Sequence, residues 1–183
     1  CVTSVPENEE IAPTPEAAAS GLAAERTRRL DRIDAMRAAG VNPYPYRFDR
    51  THTLGEIREQ HGHLEAGNET ETRVTVAGRI LLKRDQGKLI FCTIRDRAAD
   101  IQLFISKSVV GDTEFDEINE LDLGDWVGVT GLVMTTRKGE LSIKVESAQL
   151  LSKAVRPLPD KWHGLTDVDT RYRQRYADLI INE

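Results

Sequence analysis

Between Arg73 and Leu150 the apolar residues recur at every second position, and this period limits the fold more than any other feature of the chain. Strict alternation marks strands that bury one face and leave the other to solvent. Val74, Val76, Ile80 and Leu82 form the first run, with Gly78 where a strand would bend sharply. Asp85-Gln86-Gly87 reads as a turn. A second strand, Leu89 to Arg95, places Ile90, Cys92 and Ile94 on one face. A third places Ile101, Leu103 and Ile105 on one face and Gln102 and Phe104 on the other. The period then becomes helical, with Phe115, Ile118 and Leu121 at threes and Asp112 or Thr113 as the cap. Leu123-Gly124-Asp125 turns the chain into a fourth strand carrying Val127, Val129 and Val133, with Gly131 as a second bend. Lys138-Gly139 is a hairpin turn, and a fifth strand runs from Leu141 through Ile143 and Val145 towards Leu150.

Three strands, a helix and two strands is the order of an OB-fold. The expectation is an all-β domain with helices: a five-stranded OB-fold barrel, a helix between strands three and four, and an N-terminal helix in addition. Such a barrel binds single-stranded nucleic acid or oligosaccharide on the face of strands two and three. An SH3-like barrel lacks a helix at that place, and a plain five-stranded meander is the other alternative.

The flanks divide by charge. Residues 1–20 carry four acids, no base and three prolines, and read as a disordered acidic tail. Residues 21–71 read as an N-terminal helix and an extended segment. The helix runs from Leu22 to Ala39, with Ser20 as N-cap and Gly40 as stop. Leu30, Ile33 and Met36 form a narrow stripe on it, surrounded by Arg26, Arg28, Arg29, Arg32 and Arg37. Such a helix either rests on its domain with a solvated charged face, or also touches a phosphate backbone. Pro43-Tyr44-Pro45-Tyr46 enforces an extended segment, and a short helix is expected near Leu54 to Gln60. Residues 72–153, the barrel, hold twelve acids and twelve bases. Residues 154–183 read as a linker, with Arg156-Pro157-Leu158-Pro159-Asp160 extended and a helix from Arg171 to Ile181. The chain opens on Cys1 rather than Met, so it reads as a processed product or a fragment.

Several chemistries are excluded. No apolar run approaches the ~18 residues of a membrane span. Cys1 and Cys92, the two cysteines, make neither a disulfide scaffold nor a cysteine zinc cluster. His52, His61, His63 and His163 have no metal spacing, and His61-Gly62-His63 reads as solvated loop. None of GxxxxGK[ST], GxGxxG, HExxH or GxSxG occurs. Asp96 and Asp100 flank strands as turn residues. A net charge of −5 argues against non-specific nucleic-acid binding. What remains is a binding module.

Its binding face follows from the alternation. If Ile90, Cys92 and Ile94 face the core, Phe91 faces out, and by the same parity so does Gln102. An exposed Phe is a platform for base stacking, worth roughly 1–3 kcal/mol per base. A Gln amide beside it both donates to and accepts from a base edge. Arg84 and Lys88 flank the loop before Phe91, within reach of phosphate or base. Glu140, in the last hairpin, can accept from a ring N–H. The alternative is that Phe91 packs beneath the 51–71 segment or the N-terminal helix.

Longer motifs then add a resemblance. Arg156-Pro-Leu-Pro-Asp-Lys-Trp-His-Gly-Leu165, Arg171-Tyr-Arg-Gln-Arg-Tyr-Ala-Asp-Leu179, Gly139-Glu-Leu-Ser-Ile143, Asp122-Leu-Gly-Asp125 and Gly40-Val-Asn-Pro-Tyr-Pro45 are all present. With these the chain, from Arg29 onwards, resembles the N-terminal anticodon-binding part of class II lysyl-tRNA synthetases. The linker favours the lysine enzymes over their aspartate and asparagine relatives. The resemblance implies that the barrel reads the uridine-rich lysine anticodon of tRNA(Lys). It implies that Phe91 stacks under the central uridine, that Gln102 and Arg84 read bases, and that Glu140 is the hairpin acid. It implies that the basic helix, through Arg26, Arg29 and Arg32, lies along the anticodon stem. The parent enzyme would be a cytoplasmic homodimer that joins lysine to tRNA with ATP and Mg²⁺. Its class II motifs are expected beyond Glu183, which leaves no catalytic site, cofactor site or metal site in this chain. The acidic tail departs from the family core. It suits a plain synthetase with an extension. It also suits a fusion behind a membrane protein that transfers lysine to phosphatidylglycerol, which would put this segment on the cytoplasmic side of the membrane without touching the membrane itself. The rival reading is a stand-alone OB module for single-stranded nucleic acid or for protein.

Overall fold

Alternating residues become strands where both edges find partners, and here five of them close a ring. The computed structural model describes residues 15–158 and 167–181. The strands are β1 (Glu69–Asp85), β2 (Leu89–Arg95), β3 (Asp100–Ser106), β4 (Trp126–Thr135) and β5 (Leu141–Ser152). They form a closed barrel in the order β1-β2-β3-β5-β4. Every pairing is antiparallel except that of β3 with β5. Helices α3 (Lys107–Val110) and α4 (Asp112–Asn119) connect β3 to β4. The OB-fold order expected from the sequence is therefore the order observed.

The core is the inward set of the alternation: Val74, Val76, Ile80, Ile90, Cys92, Ile94, Ile101, Leu103, Ile105, Val127, Val129, Val133, Ile143 and Val145. Phe115 and Ile118 of α4 join it at one end, and Leu54 and Ile57 of α2 (Leu54–His61) at another. Helix α2 starts at a capping box in which Thr53 and Glu56 bond each other's backbone N–H. Asp96 fixes α2 to the turn between β2 and β3. It accepts from the N–H of Leu54 at 2.9 Å, and from the N–H groups of Ala98 and Ala99 at 2.7 and 3.0 Å.

Leu82 leaves the inward stripe. The β1–β2 register runs Ile80↔Ile94 and then Leu82↔Thr93, so an extra residue is inserted between them. A bulge of this kind reverses the facing of everything after it. Lys83 then lies opposite inward-facing Cys92, and Arg84 opposite outward-facing Phe91. Gly78 is not itself the bend, because the β1–β4 ladder runs through it with no shift of register. A Cβ there would lie 3.0 Å from that of Ile94, which is the close approach that requires glycine. At Gly131 a bulge does occur, and the carbonyl of Lys144 occupies the space a side chain would need.

Helix α1 spans Pro15–Ala38, so it begins inside the segment whose composition reads as disordered. Ser20 lies within the helix and is not its cap. Proline is well suited to a first helical position, and the alanines that follow are strong helix formers. The remainder of the expected tail, 1–14, lies outside the described residues, as does the linker over 159–166. Between α3 and α4 the cap position belongs to Gly111, at φ +86, and not to Asp112 or Thr113. The chain must reverse there between two helices, and that φ favours glycine. The expected helix from Arg171 to Ile181 is two helices, α5 (Val168–Arg173) and α6 (Arg175–Ile181), with a break at Gln174.

Helix α1 is held to the barrel by charge. Ile33 is buried beneath it. Arg28 bonds Asp122 at 2.5 Å, and Arg32 pairs with Glu120. The Arg29 guanidinium donates to Glu25 at 2.9 Å and to the carbonyls of Leu123 and Ala154, both at 3.1 Å. Next to it, fully buried Asp125 accepts from the Lys153 ammonium at 2.7 Å, and Lys153 also reaches Asp122. Removing one partner of such a buried set typically costs about 3–5 kcal/mol.

Candidate nucleic-acid interface

Across three strands one outward row reads Arg84, Phe91, Phe104, and the parallel neighbour Lys144 continues it on β5. Cross-strand partners share a face of the sheet. The bulge in β1 is what brings Arg84 into this row. Phe91 and Phe104 are half-buried and meet edge to face, with ring centroids 5.5 Å apart and planes at 70°. Phe104 is a residue that the parity of β3 places beside Gln102 but that sequence reasoning did not single out. Lys144 is paired to Glu69 at 2.8 Å.

The next row holds Thr93, Gln102 and Ser142. The Gln102 side-chain amide donates from Nε2 to Ser142 Oγ at 3.0 Å. That hydroxyl donates in turn to the carbonyl of Glu140 at 3.0 Å. Ser142 is fully buried beneath this pair.

Glu140 closes the face at the hairpin between β4 and β5. Its N–H donates to Thr136 Oγ1 at 3.1 Å, and its carboxylate is exposed. Arg58 of α2 stands beside it, 3.8 Å from the carboxylate, while its Nε donates to the carbonyl of Asp100 at 2.5 Å. No periodicity in the sequence points to Arg58, because only the docking of α2 brings it here. At the opposite end lies the β1–β2 turn. Gly87, at φ +77, donates its N–H to Asp85 Oδ1 at 2.7 Å, and Lys88 is exposed.

Arg84, Phe91, Gln102 and Glu140 therefore share one surface, with Arg58, Phe104 and Ser142 around them. The helix residues do not join it as a set. Arg26 is exposed and carries no ion pair among the described residues, while Arg32 is largely covered and paired to Glu120. Arg29 departs from the expected role on the tRNA backbone: it is 3 % exposed and its guanidinium is bonded inward, so no face is left for a phosphate. Cys92 lies under the site in the core, where burial pushes its thiol up to about 12, and it is no nucleophile. Among the described residues no group of three or more His, Cys, Asp or Glu could hold a metal ion. A cleft of about 420 Å³ lies elsewhere, lined by Met36, Val41, Pro45, Ile118, Leu121 and Leu150 among others. None of the residues on the candidate face contributes to it.

What the arrangement can do is stack a flat ring on Phe91 and examine its edge with an amide, a guanidinium and a carboxylate. Comparison with known proteins agrees in kind. Residues 74–151 match a family described as an OB-fold nucleic acid binding domain. The lysine–tRNA ligase of Thermosynechococcus vestitus is 46% identical over 162 residues, which is 86% of this chain and 32% of that protein. The lysine–tRNA ligase of Enterococcus faecalis is 47% identical over 157 residues, 85% of this chain and 32% of that protein. That of Synechococcus sp. strain RCC307 is 46% identical over 158 residues, 86% of this chain and 31% of that protein. The chain spans about a third of the length of these relatives. Residues 74–151 thus match the OB-fold nucleic acid binding domain family, and most of the chain is similar to part of lysine–tRNA ligases.

Proposed function

We propose that this chain binds the anticodon of a lysine tRNA, for an enzyme that attaches lysine to that tRNA with ATP and Mg²⁺. The observation that carries the reading is the outward Phe91–Phe104 pair with the Gln102 amide beside it, on the face of β2 and β3 that an OB-fold uses for single strands, with Arg84 of β1 continuing the row. Phe91 stacks the central base, Gln102 reads its edge, Arg84 reaches an adjacent base or phosphate, and Glu140 accepts from a ring N–H at the hairpin. Arg26 of α1 touches the backbone of the stem. The barrel, 72–153, is the reading unit, and 154–183 leads towards the catalytic part of a homodimeric, cytoplasmic enzyme.

The test is binding of anticodon stem-loop RNAs that differ only in the anticodon. The lysine anticodon should bind best, and replacing its central uridine should weaken binding. Phe91→Ala should remove roughly 1–3 kcal/mol from the cognate complex. Equal binding of all stem-loops, or an unaffected Phe91→Ala variant, would rule the reading out.

A further inference from the structure

Gln102 has two chemically opposite ends, and which one meets the base decides what it reads. The row beneath it settles the question by the direction of its protons. The carbonyl of Glu140 can only accept, so the Ser142 hydroxyl that bonds it at 3.0 Å must donate. A hydroxyl has one proton, so towards Gln102 the same oxygen can only accept. Gln102 must therefore present its NH2 to Ser142, which is the 3.0 Å hydrogen bond seen. Its Oε1 accepts no hydrogen bond among the described residues and is not a buried atom, so it is the end left for the base. The assignment follows from the network rather than from the shape of the amide, whose two ends are alike in size.

We infer that Ser142 is a specificity-determining positioning residue: through the carbonyl of Glu140 it locks the Gln102 amide with Oε1 outward, so the site accepts a base bearing an N–H donor on its reading edge. A ring stacked on Phe91 and approached at N3 then meets an acceptor. Uridine has N3–H there and donates. Cytidine has a bare N3, and two lone pairs face each other. The lock is stable because Ser142 is fully buried, where an unmade hydrogen bond goes uncompensated by water. Fully buried Ser142 touches no base, so its influence passes through the two groups it bonds, the Gln102 amide and the Glu140 backbone.

The inference rests on the anticodon-reading proposal, and its test separates the two. The chain and its Ser142→Ala variant are titrated with three stem-loops carrying uridine, cytidine or N3-methyluridine at the central anticodon position. The unaltered chain should bind the uridine form about tenfold or more tighter than either of the others, one hydrogen bond exchanged for a repulsive or blocked approach. In Ser142→Ala the amide is free to turn its NH2 outward. The cytidine form should then recover most of its deficit, while the N3-methyl form, which accepts nothing and donates nothing there, stays weak. Should Ser142→Ala lower all three affinities by one factor, Ser142 is only structural and the inference is overturned. Should the unaltered chain not distinguish uridine from cytidine, and Gln102→Ala change nothing, the anticodon reading itself fails. One measurement needs no variant. In the unaltered chain the Gln102 amide protons should show nuclear Overhauser effects to the Ser142 β-protons, and their absence would overturn the lock even if Ser142→Ala fails to fold.

Discussion

Ile101 and Gln102 are neighbours in sequence and opposites in the fold. Ile101 is fully buried in the barrel, and Gln102 stands on its outer face. Phe91 is outward too, but its ring also packs on Phe104, so it is not energetically silent in the free chain. Ile101→Ala should therefore destabilise the fold by about 2–5 kcal/mol, as a truncation inside a packed core. Phe91→Ala should cost less, about 0.5–1.5 kcal/mol for the aromatic pair beyond its area. Denaturant unfolding of the two variants orders them, and the reverse order would mean that the two faces are exchanged. At this scale the strands were legible because a period of two separates core from surface without further information. Leu82 was not legible, since nothing in the residues around it marks the inserted position that turns it outward and carries Arg84 onto the face. Phe104 was within reach of the same parity argument that found Gln102, whereas Arg58 depends on how α2 docks, which no local pattern encodes.

At the scale of elements, the N-terminal helix shows why charge pattern alone misleads. Five arginines on a thin apolar stripe look like a surface for phosphate. Three of them instead hold α1 to the barrel, Arg28 and Arg32 through acids of the α4–β4 region and Arg29 through two carbonyls. Sequence gives the sign of a charge but not the direction in which it is satisfied, and Arg29 was misread for that reason. The docking carries a pH signature. Hydrogen bonds from Arg28 and Arg29 hold the Glu25 carboxyl well down, from 4.5 to about 2. Its pKa is lower folded than unfolded, so its contribution is present above about 4.5 and is lost as pH falls from there towards about 2. Asp122, on the barrel side, is also held low by Lys153 and Arg28 against the opposing effect of its burial, and works in the same direction. Protection of the α1 amides, measured against their intrinsic exchange rates, should thus fall across that acid range before that of the barrel strands. Glu25→Gln should remove part of this dependence while leaving the protection of β2 and β3 unchanged. Protection factors in α1 that do not change between pH 5 and 2 would show that the helix is not held by these ions.

For the whole molecule, the net charge of −5 sets the terms on which it can hold an RNA. A polyanion is not drawn to this chain by its mean field, so affinity must come from the stacking face and a few local cations. Two of the exposed cations lie in different places. Lys88 lies in the turn beside the Phe91 row, where an unpaired loop would run, and Arg26 lies on α1, away from the strands. They should report on different parts of the ligand. Each phosphate deprived of its protein cation changes the slope of log affinity against log salt by about 0.7 for a single strand and about 0.9 for a duplex. With a stem-loop RNA, Arg26→Ala should flatten the slope by about 0.9, and Lys88→Ala by about 0.7. With the unpaired loop sequence alone, Lys88→Ala should keep its effect and Arg26→Ala should have none, because no stem remains for α1 to touch. Neither variant should alter the preference among anticodons, since phosphates carry no sequence information. A slope unchanged by Arg26→Ala on the full stem-loop would confine recognition to the barrel. The helix would then serve only to brace the 122–125 turn and the exit of β5 at Ala154, which Arg28 and Arg29 hold together.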